Sequence, residues 1–239
     1  EVGKKVRVSE LLQGMIVQSG NDASVALAEF VAGTEESFAQ IMNQLARELG
    51  MSKSSYRNST GLPAEGHVTS AEDIAKLASA LIREFPDYYA WYSQREYTYN
   101  GITQANRNGL LTRDPSVDGM KTGYTDSAGY CLVSSAQRDA MRLIAVVLGT
   151  KSDSARVNDS QALLNYGFRF FETHQLWEAG QVVSETRVWK GEVERAELVV
   201  QEPVHITIPR GRLEQVETRL ELPSAVLAPL STATPVGEV

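Results

Sequence analysis

Two tripeptides carry the side chains best suited to chemistry. Ser19-Gly20-Asn21 stands where one helix-like apolar pattern ends and another begins, within VQSGNDASVALAEF. A serine hydroxyl there can pass a proton, and an asparagine carboxamide can donate and accept hydrogen bonds at once. Lys121-Thr122-Gly123 stands at the edge of a strand-like segment, VDGMKTGYT. An ammonium there attracts an anion and favours a deprotonated neighbour. Read singly, each tripeptide has an ordinary structural account: Ser, Gly and Asn build helix corners, and a strand end is often polar. Read together they are more specific. Average residue frequencies give each by chance in about one chain in twenty of this length, and both in this order in roughly one in several hundred.

The elements that must hold these residues can be read from the apolar periodicity. Ser9 can cap a helix through Gln18, with Leu11, Leu12, Met15 and Ile16 on one face. Gly20 suits its C-terminus, and Asn21 or Asp22 suits the N-cap of a second helix running to about Ala32. Thr34 opens a third helix, with Phe38, Ile41, Met42, Leu45 and Leu49 inward and Gly50 ending it. MSKSSYRNSTGLPAEGHV reads as loop. Thr69 and Ser70 open a fourth helix that ends near Phe85, before Pro86. The aromatic alternation of YYAWYSQREYTYN suits a short strand. GYCLVSSAQ and MRLIAVVLG, separated by RDA, read as an antiparallel hairpin. A long helix follows over about Ser152 to Phe171. Beyond it VVSETRVWKG, AELVVQ, VHITIP and VETRLELP are short, partly alternating segments, which predicts a second, all-β domain from about residue 173.

The whole chain sets outer limits. Its 239 residues suffice for one large domain or for one domain with a smaller companion. A hydrophobic content of 42% and a charged content of 22% are those of a globular protein with a real core. The net charge of −7 argues against nucleic acid as a partner. One cysteine, Cys131, rules out an internal disulfide. His67, His174 and His205 show no metal-ligand spacing, so neither a zinc site nor another cofactor is expected. The longest apolar run, Leu143 to Leu148, is far short of the roughly 20 residues that a membrane span requires. The opening EVGKKVRVSELLQG and the close STATPVGEV read as the ends of a piece of a longer precursor, so the lack of a signal peptide does not indicate the cytoplasm.

Over nearly its whole length the sequence resembles the low-molecular-mass penicillin-binding proteins, specifically type-5 D-alanyl-D-alanine carboxypeptidases. The resemblance rests on SGNDA, NSTGLP, QANRNGLL, VDGMKTGYTDSAGYCLVSSA, GFRFFETH and TIPRGR, in that order. It implies an α+β fold: an antiparallel sheet flanked by helices, of the penicillin-binding protein and β-lactamase kind. That domain would occupy residues 1–172 and a smaller all-β domain residues 173–239. The family uses three elements, Ser-x-x-Lys, Ser-x-Asn and Lys-Thr-Gly. The second and third are here. No Ser-x-x-Lys occurs: the residues three before Lys53, Lys76, Lys121, Lys151 and Lys190 are Gly50, Asp73, Asp118, Leu148 and Arg187. The nucleophile and its adjacent lysine are therefore expected upstream of this chain, and the family's C-terminal amphipathic anchor beyond its other end.

The resemblance implies a serine peptidase that removes the terminal D-alanine from peptidoglycan stem peptides through an acyl-enzyme, in the periplasm at the membrane surface. It also implies acylation by β-lactam antibiotics. Ser19 would relay a proton to the leaving amine, and Asn21 would fix the catalytic lysine or the substrate backbone. Lys121 would supply charge. The strand from Lys121 to Tyr124 could pair with an extended peptide. By resemblance the Tyr124 N–H is half of the oxyanion hole; the family often has histidine there, which affects pocket shape rather than mechanism. Thr122 and a guanidinium suit the terminal carboxylate. Arg156 matches the family's arginine near the pocket, and Arg107 is a second candidate.

Other conspicuous residues read as structural. Cys131 is expected to be a small buried hydrophobe, and Tyr88, Tyr89, Trp91 and Tyr92 to be packing rather than a sugar platform. The family places the loop of His67 near the cleft. Two further readings compete. A serine β-lactamase would need a water-activating glutamate, which the sequence does not reveal. A catalytically dead scaffold would bind cell-wall peptide without cutting it.

Overall fold

The computed structural model describes residues 3–231 and 234–239. The chain forms two compact units, Glu1–Gly167 and Phe168–Val239.

The first unit opens with α1 (Val8–Gln18), whose buried residues are Ile16 and Val17. Its N-cap is Arg7, not the predicted Ser9; the Arg7 N–H is satisfied by Glu10 Oε2 at 3.1 Å. The other end also departs from expectation. Ser19, not Gly20, takes the left-handed conformation, at φ 57° and ψ 43°. Gly20 is extended, at φ −63° and ψ 104°, and is the N-cap of α2 (Asn21–Ala32). A Cβ there would lie 3.3 Å from Asp22 Oδ1 and 3.5 Å from Gly14 O, a close but not prohibitive fit.

Two helices follow with the predicted caps. Thr34 Oγ1 accepts from Ser37 N at 3.1 Å to start α3 (Glu35–Glu48). Ser70 Oγ accepts from Asp73 N at 3.2 Å to start α4 (Ala71–Glu84). The aromatic segment is mostly helical instead of extended. Pro86, at the first position of α5 (Pro86–Tyr89), has its φ preset for a helix. A 3₁₀ turn over Ala90–Ser93 continues it. The aromatics pair three residues apart, Tyr89 stacked on Tyr92 at 5.9 Å and Tyr88 edge-on to Trp91 at 5.4 Å. Only Glu96–Tyr99 becomes a strand, β1, paired with β2 (Ile102–Ala105). A single helical turn, α6 (Leu110–Arg113), precedes the main sheet.

That sheet consists of β3 (Val117–Thr125), β4 (Gly129–Arg138) and β5 (Met141–Thr150), antiparallel in that order. The hairpin expected around RDA joins β4 to β5. Alternation gives the sheet two apolar faces. On one, Val133 and Ile144 pack toward Ala78, Leu81 and Ile82 of α4 and Tyr89, in a cluster that Met120 joins. On the other, Leu143 packs so closely on Gly167 of α7 (Asp153–Phe170) that a Cβ there would require the leucine side chain to move. Each fully buried large side chain in such a core contributes about 1.5–3 kcal/mol. The antiparallel sheet flanked by helices is thus as expected.

The second unit holds β6 (Phe171–Trp177), β7 (Val182–Trp189), β8 (Arg195–Val199), β9 (Val204–Pro209) and β10 (Ala225–Leu227). β6 pairs with β9, and the second sheet runs β10-β7-β8. β6 was not read as a strand from sequence. VETRLELP, which was, follows a 3₁₀ turn at Leu213–Gln215 and joins the ladder only through the bridge Glu221 to Glu238.

Candidate active site

Ser19 is the joint between α1 and α2. Its N–H donates to Met15 O at 3.0 Å, and the Gly20 N–H reaches Gly14 O at 3.2 Å. The left-handed turn costs a non-glycine residue about 1–2 kcal/mol. Such strain is often held at functional sites. Here it points the chain so that Ser19 Oγ meets the ammonium of Lys121 on β3, which donates a short hydrogen bond to it. The same ammonium donates to Thr122 O at 2.8 Å. The corner and the strand, 102 positions apart, thus meet through their chemical groups. Asn21 opens α2, and its carboxamide has no hydrogen-bond partner among the described residues.

Ser19, Asn21, Arg107, Lys121, Thr122, Gly123, Tyr124 and Arg156 all line one cleft of about 620 Å³. Three of them are cationic, and no Asp or Glu among the described residues lines it. Burial, then the charges of Arg107 and Arg156, lower the Lys121 pKa to about 8. β3 is an edge strand: β4 covers one side, and no strand covers the other among the described residues. Thr122 is buried, while Gly123 presents bare backbone to the cleft.

The two arginines are in different states. Arg156 is 5% exposed and already engaged. It donates to Gly123 O at 3.0 Å and Cys131 O at 3.3 Å, and is paired closely with Asp153. Only its buried Nε lacks a partner, and its guanidinium lies 5.4 Å from the Tyr130 ring centroid. Arg107 is exposed and makes no ion pair or hydrogen bond among the described residues. Tyr124 is 53% exposed, its ring 4.2 Å from that of Tyr130. Its hydroxyl donates to Asp126 at 2.7 Å, which raises the phenol pKa.

The cleft also holds residues that sequence reasoning did not assign to it. Ser59, Thr60, Gly61 and Leu62, from the quoted NSTGLP, form part of its wall. Asn58 Oδ1 accepts from Gly61 N at 2.8 Å, and Glu35 Oε1 accepts from Ser59 N at 2.9 Å and Ser59 Oγ at 2.6 Å. These bonds lower the Glu35 pKa. The Asn-x-x-Gly spacing was the available signal for that turn. Tyr92 lines the cleft too, although Tyr89 is packing as expected. Cys131 is half-buried and lines the cleft rather than filling the core, its sulfur accepting from Gly149 N at 3.4 Å. His67 lies outside the lining; its Nδ1 accepts from Arg57 N at 3.4 Å, and its ring packs edge-on to Tyr56. Among the described residues no cluster is suited to a metal ion, and no helix is long and apolar enough to cross a membrane.

Comparison with known proteins places these features. The family described as D-alanyl-D-alanine carboxypeptidase matches residues 1–152, and penicillin-binding protein 5, C-terminal domain, matches residues 171–239. The D-alanyl-D-alanine carboxypeptidase DacA of Escherichia coli (strain K12) is 44% identical over 99% of this chain. The chain spans 59% of the length of that relative. Penicillin binding protein 5 from Haemophilus influenzae superposes with a TM-score of 0.85 at 40% identity, over 98% of this chain and 69% of that one. Penicillin-binding protein D2 from Listeria monocytogenes, in the ampicillin-bound form, does so with a TM-score of 0.65 at 32% identity, over 70% of each chain. On these matches, and on a sheet flanked by helices whose edge strand carries Lys-Thr-Gly against a Ser-x-Asn corner, the chain belongs to the D-alanyl-D-alanine carboxypeptidase family of type-5 low-molecular-mass penicillin-binding proteins.

Proposed function

We propose that this chain carries the proton-transfer and substrate-holding part of a serine D,D-carboxypeptidase acting on peptidoglycan stem peptides. The observation that carries the reading is the Lys121 ammonium donating to Ser19 Oγ, in a cationic cleft beside an unpaired strand edge. The terminal D-Ala-D-Ala would add to the outer edge of β3 through backbone hydrogen bonds. The Tyr124 N–H would serve the developing oxyanion. The nucleophilic serine and its lysine would come from the part of the relatives' length that these 239 residues do not span. As the scissile bond breaks, Lys121 would give a proton through Ser19 to the leaving D-alanine nitrogen. Asn21, which lines the cleft, would hold the substrate backbone or the upstream lysine.

The leaving carboxylate would rest near Thr122 with Arg107 and Arg156. Arg107 has no hydrogen-bond or ion-pair partner among the described residues, so its guanidinium fork suits bidentate capture. Arg156 holds the Gly123 and Cys131 carbonyls and offers Nε alone. The β-rich second unit, matched by the penicillin-binding protein 5 C-terminal domain, favours this reading over a β-lactamase. We place the peptidase domain at residues 1–172 and the β-rich domain at 173–239, and the enzyme in the periplasm at the inner membrane, held through a segment outside this chain. β-Lactams would acylate the same site.

The test is acylation by a labelled penicillin in the full-length protein. Ser19→Ala and Asn21→Ala should each slow it by about a hundredfold, with thermal stability little changed. Loss of about 1 kcal/mol of stability with acylation retained would make the corner a mere cap.

A further inference from the structure

Three residues before Lys121, β3 carries a bulge. Val117 pairs with Ala136 and Gly119 with Ser135, so Asp118 has no partner of its own on β4. An inserted residue changes which side chains face which side of a strand. Lys121 therefore reaches Ser19 only in the register that this bulge sets. The Asp118 carboxylate is gripped from two other elements. Its Oδ1 accepts from Tyr89 Oη at 2.6 Å and from Arg142 Nη1 at 2.9 Å, and its Oδ2 lies 2.8 Å from Arg142 Nη2. Arg142 stands on β5, two strands away. It also donates to Ser135 Oγ at 2.7 Å and Gln137 Oε1 at 2.6 Å, both on β4. One guanidinium thus ties all three strands at the bulge. Tyr89 comes this near because residue 119 is glycine: a Cβ there would lie 2.7 Å from Tyr89 Oη. Burial and the bond to Asp118 push the Tyr89 phenol pKa up, so it remains a donor. Neither Asp118 nor Arg142 lines the cleft.

We propose that Asp118, clamped by Tyr89 and Arg142, is a positioning residue that fixes the register of β3 and so delivers the Lys121 ammonium to Ser19. The consequence for catalysis rests on the carboxypeptidase reading; the clamp itself does not. In the full-length protein, Asp118→Asn keeps the side-chain volume but gives up the charged two-point pairing with Arg142. Penicillin acylation should slow about tenfold or more. The alkaline limb of its pH profile should rise from about 8 toward the ordinary lysine value of 10.5 as Lys121 swings away from the corner. Lys121 meets Ser19 at that corner and the charges of Arg107, from the loop after β2, and Arg156, from α7, with Tyr92, Tyr124 and Tyr130 lining the same cleft, and the substitution alters none of these. Asp118→Glu, which retains the charge, should recover part of the rate. Tyr89→Phe, which leaves the ion pair in place, is the milder variant should Asp118→Asn not fold, with a smaller shift in the same direction. A defect of folding alone would lower the reactive fraction and leave the limb where it is, which overturns the proposal. NMR titration of labelled Lys121 in the same proteins needs no substrate. An unmoved Lys121 titration overturns the clamp, whereas a wild-type protein that does not acylate counts against the carboxypeptidase reading instead.

Discussion

Lys121 is held against its own solvation. Its pKa of about 8 lies below the ordinary 10.5, chiefly because it is buried and then because Arg107 and Arg156 repel it. Between those values the unfolded chain binds more protons than the folded one, so stability rises with pH across that window. The penalty is fully present below pH 8 and amounts to about 3 kcal/mol before its hydrogen bonds offset part of it. Lys121→Met should therefore stabilise the protein at pH 7 by about 1–3 kcal/mol while abolishing acylation, and denaturation curves should show the gap closing as pH approaches 10.5. The arginines can be separated by substrate. Arg107→Ala should lower the specificity constant for a D-Ala-D-Ala peptide by roughly ten- to a hundredfold and hardly affect the C-terminally amidated peptide. Arg156→Ala, which frees the Gly123 and Cys131 carbonyls, should hurt both substrates; selectivity for the free acid would instead make Arg156 the anchor. At this scale the sequence was informative about identity and silent about state. The tripeptides supplied five of the expected residues and the family resemblance Arg107, Tyr124 and Arg156, and all eight line the cleft. That Arg156 is spent on carbonyls and Arg107 is not depends on packing partners far away in the chain.

The elements place these groups through two devices, a strained corner and an exposed strand edge. Gly123 is the centre of the second. A Cβ at this position would be 3.8 Å from Cys131 Cβ, an ordinary contact, so alanine fits the fold. It would nevertheless fill the space in which a peptide backbone must approach β3. Gly123→Ala should leave the melting temperature within a few degrees of wild type, a change of about 0.5 kcal/mol or less. Penicillin acylation should fall by about tenfold or more. An unchanged rate would place the substrate away from this edge. The strand itself was legible, because VDGMKTGYT leads into two strand-length segments, GYCLVSSAQ and MRLIAVVLG, with a clear turn at RDA between them. The segment before it was not. Tyr88, Tyr89, Trp91 and Tyr92 fit strand alternation, but also fit spacing by three, and Pro86 decides for the helix. The left-handed Ser19 was equally hidden, since the neighbouring glycine is the residue that propensity would choose.

At the scale of the molecule, a chain of net charge −7 keeps three cations, and no carboxylate among the described residues, in the lining of one cleft. That contrast suits an anionic substrate, and it raises the question of which serine attacks. The 239 residues contain no Ser-x-x-Lys, yet they contain a serine whose Oγ already meets a lysine of lowered pKa. A Ser-Lys pair is by itself a recognised nucleophile arrangement. The hydrogen bond runs from Lys121 to Ser19, however, and the cleft's other cations favour its role as a donor to a leaving group. The isolated chain should therefore form no covalent adduct with a labelled penicillin, even where circular dichroism shows it folded. Adding a segment that corresponds to the part of the relatives' length these residues do not span, in cis or as a separate polypeptide, should restore labelling. Peptide mapping of the adduct should then place it outside residues 1–239. An adduct on Ser19 in the isolated chain would overturn the division of labour proposed here, and would make the corner the nucleophile rather than the relay.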